Sequence, residues 1–227
     1  QIPESAGKLV VVDGVFSMGG DIAPLGEIIP LCRKYGARLM VDDAHSVGVL
    51  GGGKGTAIHL GLNDGVDLVM GTFSKSFASL GGFIAGAEDV IHYIQHHARS
   101  LIFSASMPPA NVAAVGAALD VMIEEPERIE RVNQIGEYMR AEYRRLGLNT
   151  GPSETPIIPL IIGDQNATFL AWKLLFESGV YTNPVIPPAV PPNLSLLRTS
   201  YMATHTDEQM EFVLEKVASV GKMLDLI

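Results

Sequence analysis

With 227 residues, 47% of them hydrophobic and 18% charged, the chain can fill one large globular core or two small ones, which argues against a disordered protein. Its 25 acidic and 16 basic side chains give a formal charge of −9 with no run of Lys or Arg, so no nucleic acid is expected as a partner; a long polyanion needs its phosphates neutralised, whereas a small phosphate needs only a local nest of donors. One cysteine, Cys32, excludes an intrachain disulfide and fits a reduced, cytoplasmic setting, and no apolar span is long enough for a membrane helix.

Along the chain, the run Leu9-Val10-Val11-Val12 reads as a short buried strand ending at Asp13-Gly14. Pro24 to Tyr35 reads as a helix closed by Gly36, with Cys32 in its packing. Ala37 to Val41 is a second buried strand ending at Asp42-Asp43. Val66 to Thr72 is a third, and Gly82 to Ala85 a fourth. Strands and helices alternating at this spacing predict an α/β sheet covered on both faces. Asp13, Asp42 and Thr72 fall at strand C-terminal ends, the edge where an open α/β sheet takes its ligand.

From Pro108 the spacing turns helical. Asn111 to Leu119 is apolar and Ala-rich. Between Glu127 and Leu146, Ile129, Val132, Ile135, Met139 and Leu146 recur at helical intervals, with a break expected near Glu125-Pro126. A small α/β unit follows. Ile157 to Ile162 is a strand that Pro159 confines to an edge or bulge. Asp164 or Asn166 caps a helix that Gly179 stops. Val180 to Val185 is extended, Leu194 to Ser200 is a strand, and Thr206 with Gln209 forms a capping box on a last helix. The expected division is 1–110 for a cofactor-binding domain, 111–150 for connecting helices and 151–227 for the small domain.

Two segments carry chemistry. In Thr72-Phe73-Ser74-Lys75-Ser76, hydroxyls flank a lysine just past an apolar strand; lysine can form a Schiff base with a carbonyl cofactor, and hydroxyls can hold a phosphate. The alternative is a surface loop with an exposed lysine. In Asp42-Asp43-Ala44-His45, a carboxylate at a strand end needs a partner, such as a protonated pyridine nitrogen. The alternatives are a loop cap and a structural histidine. No third ligand stands at a diagnostic spacing, so no metal is expected there.

The runs Asp13-Gly14-Val15-Phe16-Ser17-Met18-Gly19-Gly20-Asp21-Ile22-Ala23-Pro24-Leu25, Val41-Asp42-Asp43-Ala44-His45-Ser46, Gly71-Thr72-Phe73-Ser74-Lys75, Phe103-Ser104-Ala105-Ser106-Met107-Pro108-Pro109 and Leu197-Arg198-Thr199 resemble the α-oxoamine synthase family nearly end to end. The resemblance implies fold type I of the pyridoxal phosphate-dependent transferases. This chain would be the C-terminal part of the large mixed-sheet domain plus a small α/β C-terminal domain. It also implies condensation of an amino acid with an acyl-CoA thioester, with loss of CO2. Lys75 would form the Schiff base, Asp42 would pair with the pyridine nitrogen, and His45 would meet the ring oxygen or place the substrate. Thr72 would contact phosphate, Ser104 and Ser106 would reach the phosphate of a neighbouring subunit, and Arg198 would grip the amino acid carboxylate. A homodimer with shared sites follows.

The family places a further half of the large domain ahead of these residues, including a ring-stacking histidine and a glycine-containing phosphate loop. The chain is therefore expected to be the C-terminal portion of a longer polypeptide. Gly71 to Ser79 is most similar to the serine-using members, which give a 3-oxo amine such as 3-ketodihydrosphingosine. Alanine with a pimeloyl thioester, or glycine with an acetyl one, are the alternatives; a long acyl chain would allow weak membrane association. A catalytically silent partner subunit is the non-enzyme alternative, against which the retained Lys75 argues.

Overall fold

The computed structural model describes Pro3 and residues 6–227, apart from the side chain of Asn63. Residues 1, 2, 4 and 5, which the sequence assigns to the first domain, lie outside the described residues. The chain forms two units, Gln1–Val15 with Ala23–Ile129, and Phe16–Ile22 with Glu130–Ile227.

In the first unit four strands lie in chain order: β1 (Leu9–Asp13), β2 (Arg38–Asp42), β3 (Leu68–Thr72) and β4 (Gly82–Gly86). The first three are parallel and β4 is antiparallel to β3, so the sheet is mixed. Helix α1 (Leu25–Tyr35) makes the crossover from β1 to β2 and ends where Gly36 takes a left-handed conformation at φ 63°. Leu25, Ile29 and Cys32 of α1 pack on Leu39 and Val41, with Val10 and Val12 beside them.

The opposite face of β1 is not covered by described residues, because Leu9 and Val11 are 56% and 58% exposed. This corrects the expectation of a wholly buried strand. Successive side chains of a strand point to opposite faces, and an unbroken apolar run does not reveal that the described residues place a helix on only one of them.

After α2 (Thr56–His59) and β4 come α3 (Glu88–His97), α4 (Arg99–Ile102), α5 (Pro109–Glu124) and α6 (Glu127–Arg145). The break at Glu125-Pro126 stands where the sequence placed it. Helix α5 buries none of its residues. Helix α6 runs from the first unit into the second and buries Ile135, Met139 and Tyr143 almost completely.

The second unit adds β5 (Ile157–Gly163), α7 (Gln165–Glu177), β6 (Asn183–Val185), β7 (Ser195–Ser200) and α8 (Asp207–Met223). Its sheet is antiparallel in the order β5-β7-β6. Pro159 sits on the edge strand β5, which has an irregular register between Ile161 and Gly163. Only Asn183 to Val185 pairs as a strand, less than the extended run expected from Val180. The Asp164 carboxylate accepts from the Ala167 amide at 2.8 Å, and Thr206 and Gln209 close a complete capping box.

One core joins Ile135, Met139 and Tyr143 to Ile158, Leu175 and Leu197. The Tyr143 and Tyr201 hydroxyls lie 2.7 Å apart inside it. Burial pushes the Tyr201 phenol up to about 12 and also raises that of Tyr143 well above its ordinary value, so both stay neutral.

The segment Phe16–Ile22 is tied to this second unit through Gly20. Its carbonyl accepts from the Thr155 hydroxyl at 2.9 Å and the Glu154 amide at 3.1 Å. Gly20 has φ 68°, and a Cβ there would lie 1.9 Å from the Ile157 carbonyl oxygen, so only glycine fits.

Candidate active site

Parallel register aligns Asp13 with Asp42, and Asp42 with Met70 two residues before Thr72. The three polar residues marked at strand ends therefore finish at one sheet edge of the first unit, the edge that no strand of a parallel set continues across.

Of the two aspartates that end β2, Asp43 turns inward. It is 1% exposed and accepts from the Ser46 hydroxyl and from the Thr56 amide, the latter at 3.1 Å. A Cβ at Gly14 or Gly55 would strike its carboxylate at 2.3 Å or 2.1 Å, so the backbone closes tightly around it. The sequence alone does not distinguish the role of Asp43 from that of Asp42. Two glycines at fixed offsets from a strand-end carboxylate were the available signal.

Asp42 is half-buried, and its Oδ1 accepts from the Ala44 amide at 2.9 Å. That bond is the loop-cap role weighed from the sequence, and it also fixes the carboxylate at the sheet edge. His45 lies half-buried in the turn that follows, where the Ser46 and Val47 amides donate to the Asp43 carbonyl.

The Lys75 loop is braced at its neck. Phe73 N–H donates to Gly81 O at 2.9 Å, Ser79 N–H to Phe73 O at 2.7 Å, and Ala78 N–H to Lys75 O at 2.9 Å. Phe77 anchors it from below, 6% exposed and edge-on to Phe73. Gly81 has φ 88°, and a Cβ there would collide with Met107 Sδ. Lys75 is thus presented on the exposed side of a held turn.

The Thr72 hydroxyl donates to Gly81 O at 3.1 Å and lies 2.8 Å from the Ser74 hydroxyl. A hydroxyl has one hydrogen, so Ser74 is the donor within this pair.

Asp13 joins the group electrostatically. Burial raises its pKa first and the Asp42 carboxylate second, while Lys75 pulls it back down. Asp13, Asp42 and Lys75 therefore form one charge cluster, in which the part of Asp13 was not legible from its strand-end position alone.

Ser104 and Ser106 stand on the exposed segment between α4 and α5, not at the strand ends. Arg198 lies on β7 of the second unit, half-buried, with burial lowering its pKa. Its Nε donates to Ser17 O at 2.6 Å. No carboxylate lies within ion-pair distance of it among the described residues. Arg198 and its register partner Asn183 line a cavity of about 430 Å³ within that unit.

The residues of the first unit suit an aldehyde cofactor with a basic ring and a phosphate. They offer an amine on a braced loop, an acceptor carboxylate fixed at a strand end, and two hydroxyls whose hydrogens can turn to an anion. Among the described residues no helix is long and apolar enough to cross a membrane.

Residues 1–217 match the aminotransferase class I and II family. The serine palmitoyltransferase of Sphingobacterium spiritivorum is 50% identical over 227 residues, which is 100% of this chain and 57% of that protein. The 8-amino-7-oxononanoate synthase of Thermosipho melanesiensis is 44% identical over 221 residues, 97% of this chain and 56% of that protein. Among solved structures, a serine palmitoyltransferase from S. paucimobilis with a bound PLP–myriocin aldimine matches with a TM-score of 0.95 at 34% identity, covering 100% of this chain and 58% of that one. The chain thus spans little more than half the length of the relatives it matches.

Proposed function

Because the chain belongs to the aminotransferase class I and II family, in its α-oxoamine synthase branch, we propose that it forms the lysine-bearing part of a pyridoxal phosphate enzyme with serine palmitoyltransferase activity. The reaction joins serine to a long-chain acyl-CoA with loss of CO2. The observation that carries this reading is the cluster of Asp13, Asp42 and Lys75 at one sheet edge, in a chain 50% identical to a serine palmitoyltransferase.

When bound, pyridoxal phosphate supplies an aldehyde for amines and an electron-withdrawing ring that stabilises negative charge on the substrate Cα. The residues of this chain do the rest. Lys75 would hold the cofactor through its Nζ, and the same amine would remove and return the proton at the substrate Cα. Asp42, pinned by the Ala44 amide, keeps the ring nitrogen protonated. His45 orients the ring oxygen or the substrate, and Thr72 donates to the phosphate. Arg198 holds the amino acid carboxylate, a role that suits a half-buried guanidinium with no carboxylate partner among the described residues. Ser104 and Ser106 serve the phosphate of a second copy, which makes the enzyme a homodimer; their exposure supports this reading. The single, buried cysteine supports a cytoplasmic setting.

The 44% identity to an 8-amino-7-oxononanoate synthase favours a second reading, in which alanine and a pimeloyl thioester are the substrates. One assay separates the two. The complete polypeptide, loaded with cofactor, is given serine, alanine or glycine with palmitoyl-CoA or pimeloyl-CoA, and CO2 release is measured. Release dependent on serine and palmitoyl-CoA is expected. Release only with alanine and pimeloyl-CoA would transfer the assignment, and no release with any pair would sink it. Sedimentation of a fully loaded, active monomer would remove the dimer.

A further inference from the structure

Outside this cluster, helix α3 exposes four rings within six positions: His92, Tyr93, His96 and His97. Residues four apart share a helix face, so His92 pairs with His96 and Tyr93 with His97. The two pairs differ. The Tyr93 and His97 rings are stacked nearly parallel, 10° apart at 4.0 Å between centroids. The His92 and His96 rings are tilted by 37° at 4.4 Å.

His96 Nδ1 lies 2.8 Å from the His92 carbonyl oxygen. A carbonyl oxygen can only accept, so Nδ1 carries the proton and the Nε2 lone pair faces outward. A backbone carbonyl on one ring nitrogen is the usual way that a metal-binding histidine is oriented. The ring spacing also agrees. Two imidazoles bound through nitrogen at ~2.0–2.1 Å, at about a right angle, have centroids about 4.5 Å apart. Glu88 and Asp89 in the first turn add negative charge on the same helix.

We propose that His92 and His96 form a two-ligand chelate for a borderline divalent transition metal, with water completing the coordination. Among the described residues no set of three or more His, Cys, Asp or Glu could hold an ion, so the site is open and exchangeable rather than a closed structural centre. Imidazole pairs favour Cu2+ over Ni2+ and Zn2+. His97 stands outside the chelate, because it is neither three nor four positions from His92 or His96 and its ring is stacked on Tyr93.

The test is calorimetric titration of the complete, untagged, cofactor-loaded protein with CuCl2 and NiCl2, alongside His92→Gln, His96→Gln and His97→Gln. Glutamine is a good helix former, and all three positions are exposed, so folding is retained; circular dichroism checks it. The expected result is one ion per chain, Cu2+ tighter than Ni2+. Affinity should fall at least about tenfold, roughly the value of one lost ligand, in the first two variants and stay unchanged in the third. Nickel should also raise the Tm of the wild type and leave that of His96→Gln where it is. Binding that survives in His92→Gln, falls equally in His97→Gln, or never reaches one ion per chain would overturn the proposal.

Discussion

Helices α5 and α6 are neighbours in sequence and opposites in use. The α5 sequence, Pro109 to Glu124, is mostly apolar, yet the helix buries nothing; Ile123 is 68% exposed and Val112 49%. The α6 sequence is dominated by charged and polar residues, yet Ile135, Met139 and Tyr143 are at most 1% exposed. Burial follows the spacing of apolar residues, not their number. A stripe at intervals of three and four faces one partner, whereas a helix apolar all round is suited to cover on every side, which the described residues do not supply for α5. The contrast extends to the units. The second concentrates a closed core, and the first concentrates reactive groups at a sheet edge and on loops. Chemistry and stability should therefore respond to different substitutions.

The largest expected effect tests the chemical side. Lys75→Ala should abolish covalent attachment of the cofactor completely, read as loss of the borohydride-fixed adduct in the intact mass of the complete polypeptide. Stability without cofactor should hardly change, because Lys75 is exposed. An adduct that persists in the variant would move the site to another lysine.

Next is the core of the second unit. Met139 is fully buried, and Met139→Ala should cost about 2–5 kcal/mol through lost contacts and a cavity. Urea unfolding measures it, and the adduct mass should be unaffected at low urea. If Lys75→Ala proved as destabilising as Met139→Ala, the separation of roles would fail.

A smaller effect is set by pH. The folded pKa of Asp13 is raised, so folding binds its proton more tightly than the unfolded chain does. The charged carboxylate is thus a burden to the folded state once pH rises past its ordinary value. Asp13→Asn should be slightly more stable than the wild type near neutrality. That difference should close as pH falls below 3.8, where the proton is bound in both states. Urea midpoints across pH test this. A less stable variant at neutral pH would show that attraction to Lys75 outweighs burial and Asp42.

These residues also mark how far the sequence could be read. Helix ends were legible because caps are local chemistry: Gly36, Asp164, and Thr206 with Gln209 stand as their side chains or backbone freedom dictate. The edge position of Pro159 followed from its missing amide hydrogen. Asp42 and Thr72 were legible as strand ends, whereas the role assigned to Lys75 came from resemblance, since an exposed lysine on a loop has no local signature. What escaped depends on distant residues. The half-exposed face of β1 reflects which helices lie over it. Tyr143 is buried by Tyr201 and its neighbours, and Arg198 meets the carbonyl of Ser17, a residue far away in the chain. Asp43 reads like Asp42 until the backbone folds around it.

The smallest expected effect puts the comparison of helices at most risk. Ile123 on α5 is 68% exposed, so replacing it removes little buried apolar area, and glutamine keeps the helix propensity. Ile123→Gln should change stability by no more than about 0.5 kcal/mol, the range of surface substitutions. The same change at Ile135, which is 1% exposed on α6, adds burial of an unpartnered amide to the loss of packing and should cost several times more. Both are read from urea midpoints on the same protein. A loss above about 1 kcal/mol at Ile123 would mean that α5 is covered in solution, and that its apolar surface contributes to stability as the stripe on α6 does.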